Sequence, residues 1–333
     1  MRNGVEIQEV VQSNNSNLGE SLAAKLKSQA RSSGTNMQYL STIFGLQGVL
    51  RRLGMSRYKD NFCLKGAMLL AVENGGLYQR QTNDVDFSID LKVPDADALR
   101  SVLIEILKTD ADDGLQFETD TASFKKERTH AGLPGGKLNV WAYLGSMKMR
   151  LSVDVQVGET YHDGMPPFRA VPSLFPDVIE QPVVRMLPLP YVLSEKLRAA
   201  VMFGADNTRF RDYYDIATWI EHVEDADELA EAIATTFAAR EVPITDIDDV
   251  VALSYTFALI HEEDYRRLLE RAGVANKKSF VDTCAWIRSC VGPALKLAQC
   301  KVEAKQLCIE GQENLCRQGK IEEKPIDRPH LLH

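Results

Sequence analysis

Long apolar runs are missing from this sequence. The longest, such as Ala67 to Val72, fall far short of the roughly 20 residues that span a bilayer, and the opening Met-Arg-Asn-Gly-Val-Glu carries no apolar signal core. A cytoplasmic protein without a membrane partner is the expectation. Cysteine is sparse: six residues, Cys63, Cys284, Cys290, Cys300, Cys308 and Cys316, none in Cys-x-x-Cys spacing and none beside paired histidines that would complete a zinc site. Reduced thiols are expected. His330 and His333, three apart in the last residues, receive no role. A surplus of positive charge is also missing: 39 Lys and Arg stand against 47 Asp and Glu, a formal net charge of −8. That excludes a protein that coats nucleic acid through overall electrostatics. It leaves room for a local basic cleft built from Lys125, Lys126 and Arg128, from Lys148 with Arg150, or from Lys196, Arg198, Arg209 and Arg211.

What is present is ordinary globular material, 333 residues with 44% hydrophobic and 26% charged side chains, enough for two domains. Asn17 with Glu20 three positions on predicts a helix start before Leu18, Leu22, Leu26 and Ala30, leaving residues 1–16 as a flexible N-terminus. A second helix is predicted with Ile43, Leu46, Leu50 and Leu53 on one face and Gly54 as its stop. Residues 61–76 read as strand, tight turn at Gly66, apolar helix and Gly-Gly stop. Leu99, Val102, Leu103 and Ile106 make a further helix. From Leu115 to Val157 the pattern is a β-meander with turns at Asp112-Asp113-Gly114 and Leu133-Pro-Gly-Gly136. Seven prolines between Pro166 and Pro190 exclude regular helix there. From Tyr191 the periodicity becomes helical. The organisation expected is a core over 17–187, a helical C-terminal domain over 188–318 and a loose tail over 319–333.

Chemistry concentrates on two strands. In Asp84-Val-Asp-Phe-Ser-Ile-Asp90, Val85, Phe87 and Ile89 face one way and Asp84, Asp86, Ser88 and Asp90 the other. Two acids two apart on a strand have Cα atoms about 7 Å apart, close enough to converge on one or two hard cations. The preceding strand, Gly66-Ala67 turn and helix would bring backbone N–H groups of a helix start toward phosphate. In Leu151-Ser-Val-Asp-Val-Gln-Val157 the apolar alternation turns Ser152, Asp154 and Gln156 together. Asp154 is therefore a third candidate carboxylate, either a metal ligand or the group that activates an attacking hydroxyl. A solvent-facing strand aspartate is the bland alternative.

Leu64-Lys-Gly-Ala-Met-Leu-Leu70 followed by Arg80-Gln-Thr-Asn-Asp-Val-Asp86 resembles the nucleotidyltransferase motif of the AbiEii/AbiGii toxin family. The blocks around Asp154, Tyr191-Val-Leu-Ser-Glu-Lys-Leu197 and Asn207-Thr-Arg-Phe-Arg-Asp-Tyr-Tyr-Asp-Ile216 match in the same order, so the resemblance covers roughly residues 17 to 220. Gly158-Glu159 and Arg211 depart from the Gly-Asp and Lys common in that family. The resemblance implies an α+β fold with a DNA polymerase β-like core, a mixed β-sheet flanked by helices, and a helical C-terminal domain. It implies transfer of a nucleotide from an NTP to an acceptor hydroxyl, that of the 3′ end of tRNA, with release of pyrophosphate, blocking translation in a toxin–antitoxin setting tied to phage defence. A cognate antitoxin is the implied protein partner.

By position, the resemblance makes Asp84, Asp86 and Asp154 ligands of Mg²⁺ in a two-metal site. Lys65, Gly66, Ala67, Thr82, Lys196 and Arg211 become nucleotide contacts, and Lys196 and Asp212 join the catalytic set. Lys196, opposite the stripe Leu193, Leu197, Ala200 and Val201, is expected to point away from the core and neutralise triphosphate charge. Asp212 and Asp215 share a face of the following helix, where one orients Lys196 or Arg211 and the other caps or salt-bridges the helix. A protein or small-molecule acceptor, and a non-catalytic antitoxin-binding module, remain open as alternatives. The preferred NTP is not legible.

Overall fold

The computed structural model describes residues 2–75, 82–128, 134–157, 165–272, 274 and 278–317, with side chains described except at 2–16, 128, 134 and 308–317. Arg80, Gln81, Gly158, Glu159, the tail from 318 and the two terminal histidines therefore lie outside the described residues. The chain divides into two compact units, Met1–Pro188 with Leu269–Lys277, and Leu189–Leu268 with Lys278–His333.

The first unit is built on a seven-stranded mixed sheet. Its elements are α1 (Arg2–Ser33), α2 (Met37–Met55), β1 (Phe62–Lys65), α3 (Gly66–Glu73), β2 (Asp84–Ile89), α4 (Ala96–Leu107), β3 (Leu115–Arg128), β4 (Pro134–Leu144), β5 (Met147–Val157), β6 (Phe168–Ala170) and β7 (Val183–Met186). The strand order is β3-β4-β5-β2-β1-β7-β6. β2 runs parallel to β5 and antiparallel to β1, which runs parallel to β7. This is the mixed sheet with flanking helices expected from the resemblance.

One face of the sheet is apolar. Phe62 and Leu64 of β1, Val85 and Phe87 of β2, Leu151, Val153 and Val155 of β5 and Leu138 and Val140 of β4 are all buried. Helices α2 and α4 pack over this layer, α2 on β5 and β7 and α4 on β3 and β4. Each such Leu, Val or Phe contributes roughly 1.5–3 kcal/mol through removal from water. Phe62 and Phe87 meet edge to face at 5.5 Å. Because strand side chains alternate, burying this face commits the even-numbered residues of β2 and β5 to the opposite one.

Several predicted boundaries move, each for a packing reason. Helix α1 runs from Arg2, so Asn17 lies inside the helix and is not its cap. Glu20 serves elsewhere, its Oε1 accepting the backbone N–H of Ser146 at 2.8 Å in the β4–β5 turn. Gly54 does not stop α2, which continues to Met55; it lets β7 approach, since a Cβ there would lie 2.7 Å from the Val183 carbonyl oxygen. Pro134-Gly135-Gly136 is not a turn but the start of β4, paired with β3 and β5. The hairpin turn that alternation alone did not reveal is at Gly145-Ser146, with Gly145 at φ +56°. Two short strands, β6 and β7, occupy part of the proline-rich stretch.

The second unit is helical: α5 (Leu189–Phe203), α6 (Phe210–Trp219), α7 (Ala226–Ala238), α8 (Tyr255–Ile260), α9 (Glu262–Arg271, up to Leu268 in this unit) and α10 (Phe280–Arg317). Its aromatic centre sets Tyr213 against Phe280 at 4.9 Å and Tyr265 against Phe280 at 4.6 Å. The buried Tyr213 hydroxyl donates to the Ala252 carbonyl at 3.0 Å and accepts from Asn207 Nδ2 at 2.9 Å, so its polar end is satisfied. Among the described residues no helix is long and apolar enough to cross a membrane. Among the described residues Cys63, Cys284, Cys290 and Cys300 form no disulfide.

Candidate active site

The β1–α3 junction places backbone against carboxylate. Lys65 ends β1 in extended conformation and Gly66 opens α3 at φ +70°, a left-handed value that a side chain resists. Space demands glycine as well: a Cβ on Gly66 would lie 2.1 Å from Asp86 Oδ2. The backbone of the turn thus lies directly against the Asp86 carboxylate, with Ala67 following it in the first turn of α3.

Strand register assembles the rest. Lys65 pairs with Asp86, Asp86 with Asp154, Asp154 with Lys137 and Lys137 with Lys125, giving one row across β1, β2, β5, β4 and β3. The neighbouring row holds Asp84, Ser152 and Asn139. All are on the sheet face opposite the apolar core. Asp84, Asp86 and Asp154 therefore share one face of two adjacent parallel strands.

A cation already sits among them. Lys137 Nζ donates to Asp84 Oδ2 at 3.0 Å and lies 3.6 Å from Asp154 Oδ2. Burial works against the Lys137 ammonium, but Asp84, Asp154 and Asp86 outweigh it and hold its pKa above the ordinary lysine value. Burial also lifts the Asp154 carboxyl above the ordinary aspartate value; Lys137 opposes that while Glu127 and Asp84 add to it. Thr82 Oγ1 lies 3.2 Å from the Asp84 carbonyl oxygen and 3.3 Å from its Oδ1. Lys65 Nζ, on a side chain largely buried, reaches Gln156 Oε1 at 3.5 Å.

These donors suit a hard divalent cation. They are carboxylates on one face of two strands, and an ammonium stands between two of them. Among the described residues no three His, Cys, Asp or Glu side chains are drawn together into a ready-made metal cluster; the lysine stands between Asp84 and Asp154.

The remaining candidates belong to the second unit. Lys196 does not point away from its surroundings as the helical stripe suggested: its Nζ donates to Asp212 Oδ1 at 2.7 Å and to Asp215 Oδ2 at 2.9 Å. Its side chain is 11% exposed, and those of Asp212 and Asp215 are 8% and 0% exposed. Both aspartates hold the lysine; neither is a mere helix cap. Arg209, not Arg211, completes the cluster by donating from Nε to Asp212 Oδ2 at 2.6 Å, while Arg211 is exposed on α6. Burial would lower the Lys196 pKa, yet Asp212 and Asp215 raise it above the ordinary lysine value. Burial likewise raises Asp212, and Lys196 with Arg209 more than reverse this, leaving it below the ordinary aspartate value.

Sequence reasoning missed Lys137 and offered Arg209 only as one of a basic group. Lys137 follows Pro-Gly-Gly, whose composition mimics a turn, so its place in the strand alternation was hidden. Arg209 belonged to a basic group with no feature that singled it out.

A model of the family described as nucleotidyl transferase AbiEii toxin, type IV TA system, matches residues 48–285. No curated protein matches the chain. Among solved structures, MenT4, a nucleotidyltransferase toxin from Mycobacterium tuberculosis, is similar at 14% identity and a TM-score of 0.46 over 83% of this chain and 98% of its own. JHP933 from Helicobacter pylori is similar at 15% identity and a TM-score of 0.40 over 84% of this chain and 99% of its own.

Proposed function

The chain belongs to the AbiEii nucleotidyltransferase toxin family, and from that premise we propose that it transfers a nucleotide from an NTP to the 3′ end of tRNA and so blocks translation. The observation that carries the reading is the row in which Asp86 and Asp154 pair across β2 and β5, with Asp84 on the same face and the Gly66 turn against Asp86.

In this reading Asp84, Asp86 and Asp154 hold Mg²⁺. Ions held there would supply charge to lower the pKa of the attacking hydroxyl and to offset the charge that builds on the leaving pyrophosphate. The chain's own residues do the positioning. Gly66 and Ala67 offer backbone N–H groups to phosphate at the start of α3. Thr82 steadies the Asp84 carboxylate, and Lys65 braces the turn from the end of β1. Asp154, opposite Asp86 on the adjacent strand, is the carboxylate assigned to take the proton of the acceptor hydroxyl. Lys137, which donates to Asp84, would compete with a cation for that carboxylate and could offer its ammonium to phosphate oxygens instead. Within the second unit, Lys196 and Arg211 are assigned to nucleotide phosphate and Asp212 to holding Lys196. That lysine is already matched by two carboxylates, so contacting phosphate requires opening one of those bonds. A cognate antitoxin restrains the activity in the cytoplasm.

Purified protein incubated with total tRNA, Mg²⁺ and each α-³²P-labelled NTP tests the reading, beside the Asp86→Asn variant. Label entering tRNA from one NTP, and lost in the variant, is expected. Folded, nucleotide-binding protein that labels no RNA with any NTP overturns the tRNA assignment.

A further inference from the structure

The face that carries the carboxylates does not end with them. Along the β4–β5 hairpin the register pairs Asp154 with Lys137, Ser152 with Asn139, Arg150 with Trp141 and Lys148 with Tyr143, all on the same side of the sheet. The intervening Met149, Leu151, Val140 and Ala142 are buried on the other side. Two row steps, about 13 Å, separate Asp154 from Arg150. Ser152 and Asn139 bridge that interval, Ser152 Oγ donating to Asn139 Oδ1 at 2.8 Å.

Beyond them the surface changes character. Trp141 is 36% exposed, and Lys148 and Arg150 beside it are exposed. Lys148 Nζ lies 4.3 Å from the centroid of the Trp141 ring and 5.2 Å from that of Tyr143. The Arg150 guanidinium carbon stands 6.0 Å over Trp141. Tyr143 donates to Glu118 Oε2 at 2.6 Å, which fixes its ring. An exposed tryptophan loses the advantage of burial, and of the two cations two residues apart on β5 only Lys148 has, among the described residues, an acid, Glu118 opposite Trp141, to offset it. Both features become favourable against one kind of ligand: flat bases that stack on the rings, joined by phosphates that meet the cations. A duplex hides its bases, so the fitting ligand is single-stranded.

We propose that Trp141, Tyr143, Lys148 and Arg150 form a track for the single-stranded 3′ end of the RNA acceptor, leading its terminal hydroxyl toward the carboxylate row. The proposal rests on the nucleotidyltransferase reading of that row and adds the surface that recognises the acceptor. It also reconciles a net charge of −8 with a nucleic-acid substrate, because the positive charge is needed only along this strip.

The test uses the full-length chain and short fluorescein-labelled single-stranded RNA and DNA of one sequence, with fluorescence anisotropy as the readout. Trp141→Ala is expected to weaken RNA binding about tenfold, and Trp141→Phe to restore most of it, because either ring stacks. The Lys148→Gln, Arg150→Gln pair is expected to flatten the slope of log affinity against log salt by about 1.4, the share of two phosphate contacts on a single strand. NTP affinity stays unchanged in all three, and in transfer assays only the acceptor KM rises. Variants that bind RNA as the unaltered chain does, or that lose NTP and RNA affinity together, overturn the track; tighter binding of DNA than of RNA overturns its assignment to RNA. The underlying reading fails separately: unaltered protein that binds RNA through these residues yet labels no acceptor sinks the transferase reading while leaving the track standing. Transfer to RNA that none of the variants slows does the reverse.

Discussion

Gly66 is the residue where backbone and chemistry are least separable. Its φ of +70° costs an alanine about 1–2 kcal/mol, and the added Cβ would lie 2.1 Å from Asp86 Oδ2. Gly66→Ala therefore forces the turn or the carboxylate to move. A misplacement of about 1 Å at a reacting centre costs roughly a hundredfold in rate, so transfer is expected to fall at least that far, while thermal unfolding shows only the small stability loss. Activity within tenfold of the unaltered protein would mean that Asp86 needs no fixed geometry. Lys137 makes the complementary case. Its ammonium stands 3.0 Å from Asp84 Oδ2 on a side chain 30% exposed, a contact that solvent screening reduces to about 1 kcal/mol. Lys137→Met is expected to tighten Mn²⁺ binding about fivefold in the absence of nucleotide, read by electron paramagnetic resonance of the free ion. Weaker binding would show that the lysine assists the cation and does not compete with it.

Among the elements, those whose period met a buried face were legible and those set by close approach were not. The alternation of Asp84 to Ile89 and of Leu151 to Val157 placed both strands, because the apolar core selects one parity. That Asp86 stands opposite Asp154 was not legible, since register between strands separated by two others is decided by how helices α2 and α4 cover the sheet. Glycine misled twice, at Gly54 and at Gly135-Gly136, because small size serves packing and pairing as readily as turning. The α5–α6 clamp was half legible: spacing put Asp212 and Asp215 on one face but could not show that Lys196 lies between them. The clamp has a pH signature. Asp212 is held below its ordinary 3.8, so its contribution is full above that value and is lost as pH falls through its lower folded value. Lys196 is held above its ordinary 10.5, so its contribution is full below that value and is lost as pH rises through its higher folded one. Asp212→Asn is expected to cost about 3 kcal/mol in urea unfolding on the plateau between those limits, with the deficit shrinking as the unaltered protein is taken to about pH 2. A deficit that stays constant into acid would remove the ion pair as its source.

At the scale of the whole molecule, each unit carries one buried ionic cluster of its own. In the first, Asp113 accepts from Arg52 through both oxygens, at 2.8 and 3.0 Å, and from Arg51 at 2.6 Å. Arg51 also donates to the Glu180 carbonyl at 3.0 Å, so the cluster ties α2 to the turn before β3 and to the proline-rich stretch. In the second, Lys196 sits between Asp212 and Asp215. The bonds named for Asp113 and Arg51 close within the first unit, and those from Lys196 to Asp212 and Asp215 close within the second. Removing Asp113 leaves two buried guanidiniums without their shared acid, and removing Lys196 takes from two buried carboxylates the ammonium between them, with Arg209 still on Asp212; each loss is expected to cost about 3–5 kcal/mol. Substitutions without shared partners add to within about 0.5 kcal/mol. Asp113→Ala combined with Lys196→Ala should then cost the sum of the two single losses in calorimetric unfolding. A shortfall above about 1 kcal/mol would show that one unit's ionic cluster feels the loss of the other, and that the chain's stability is not assembled unit by unit.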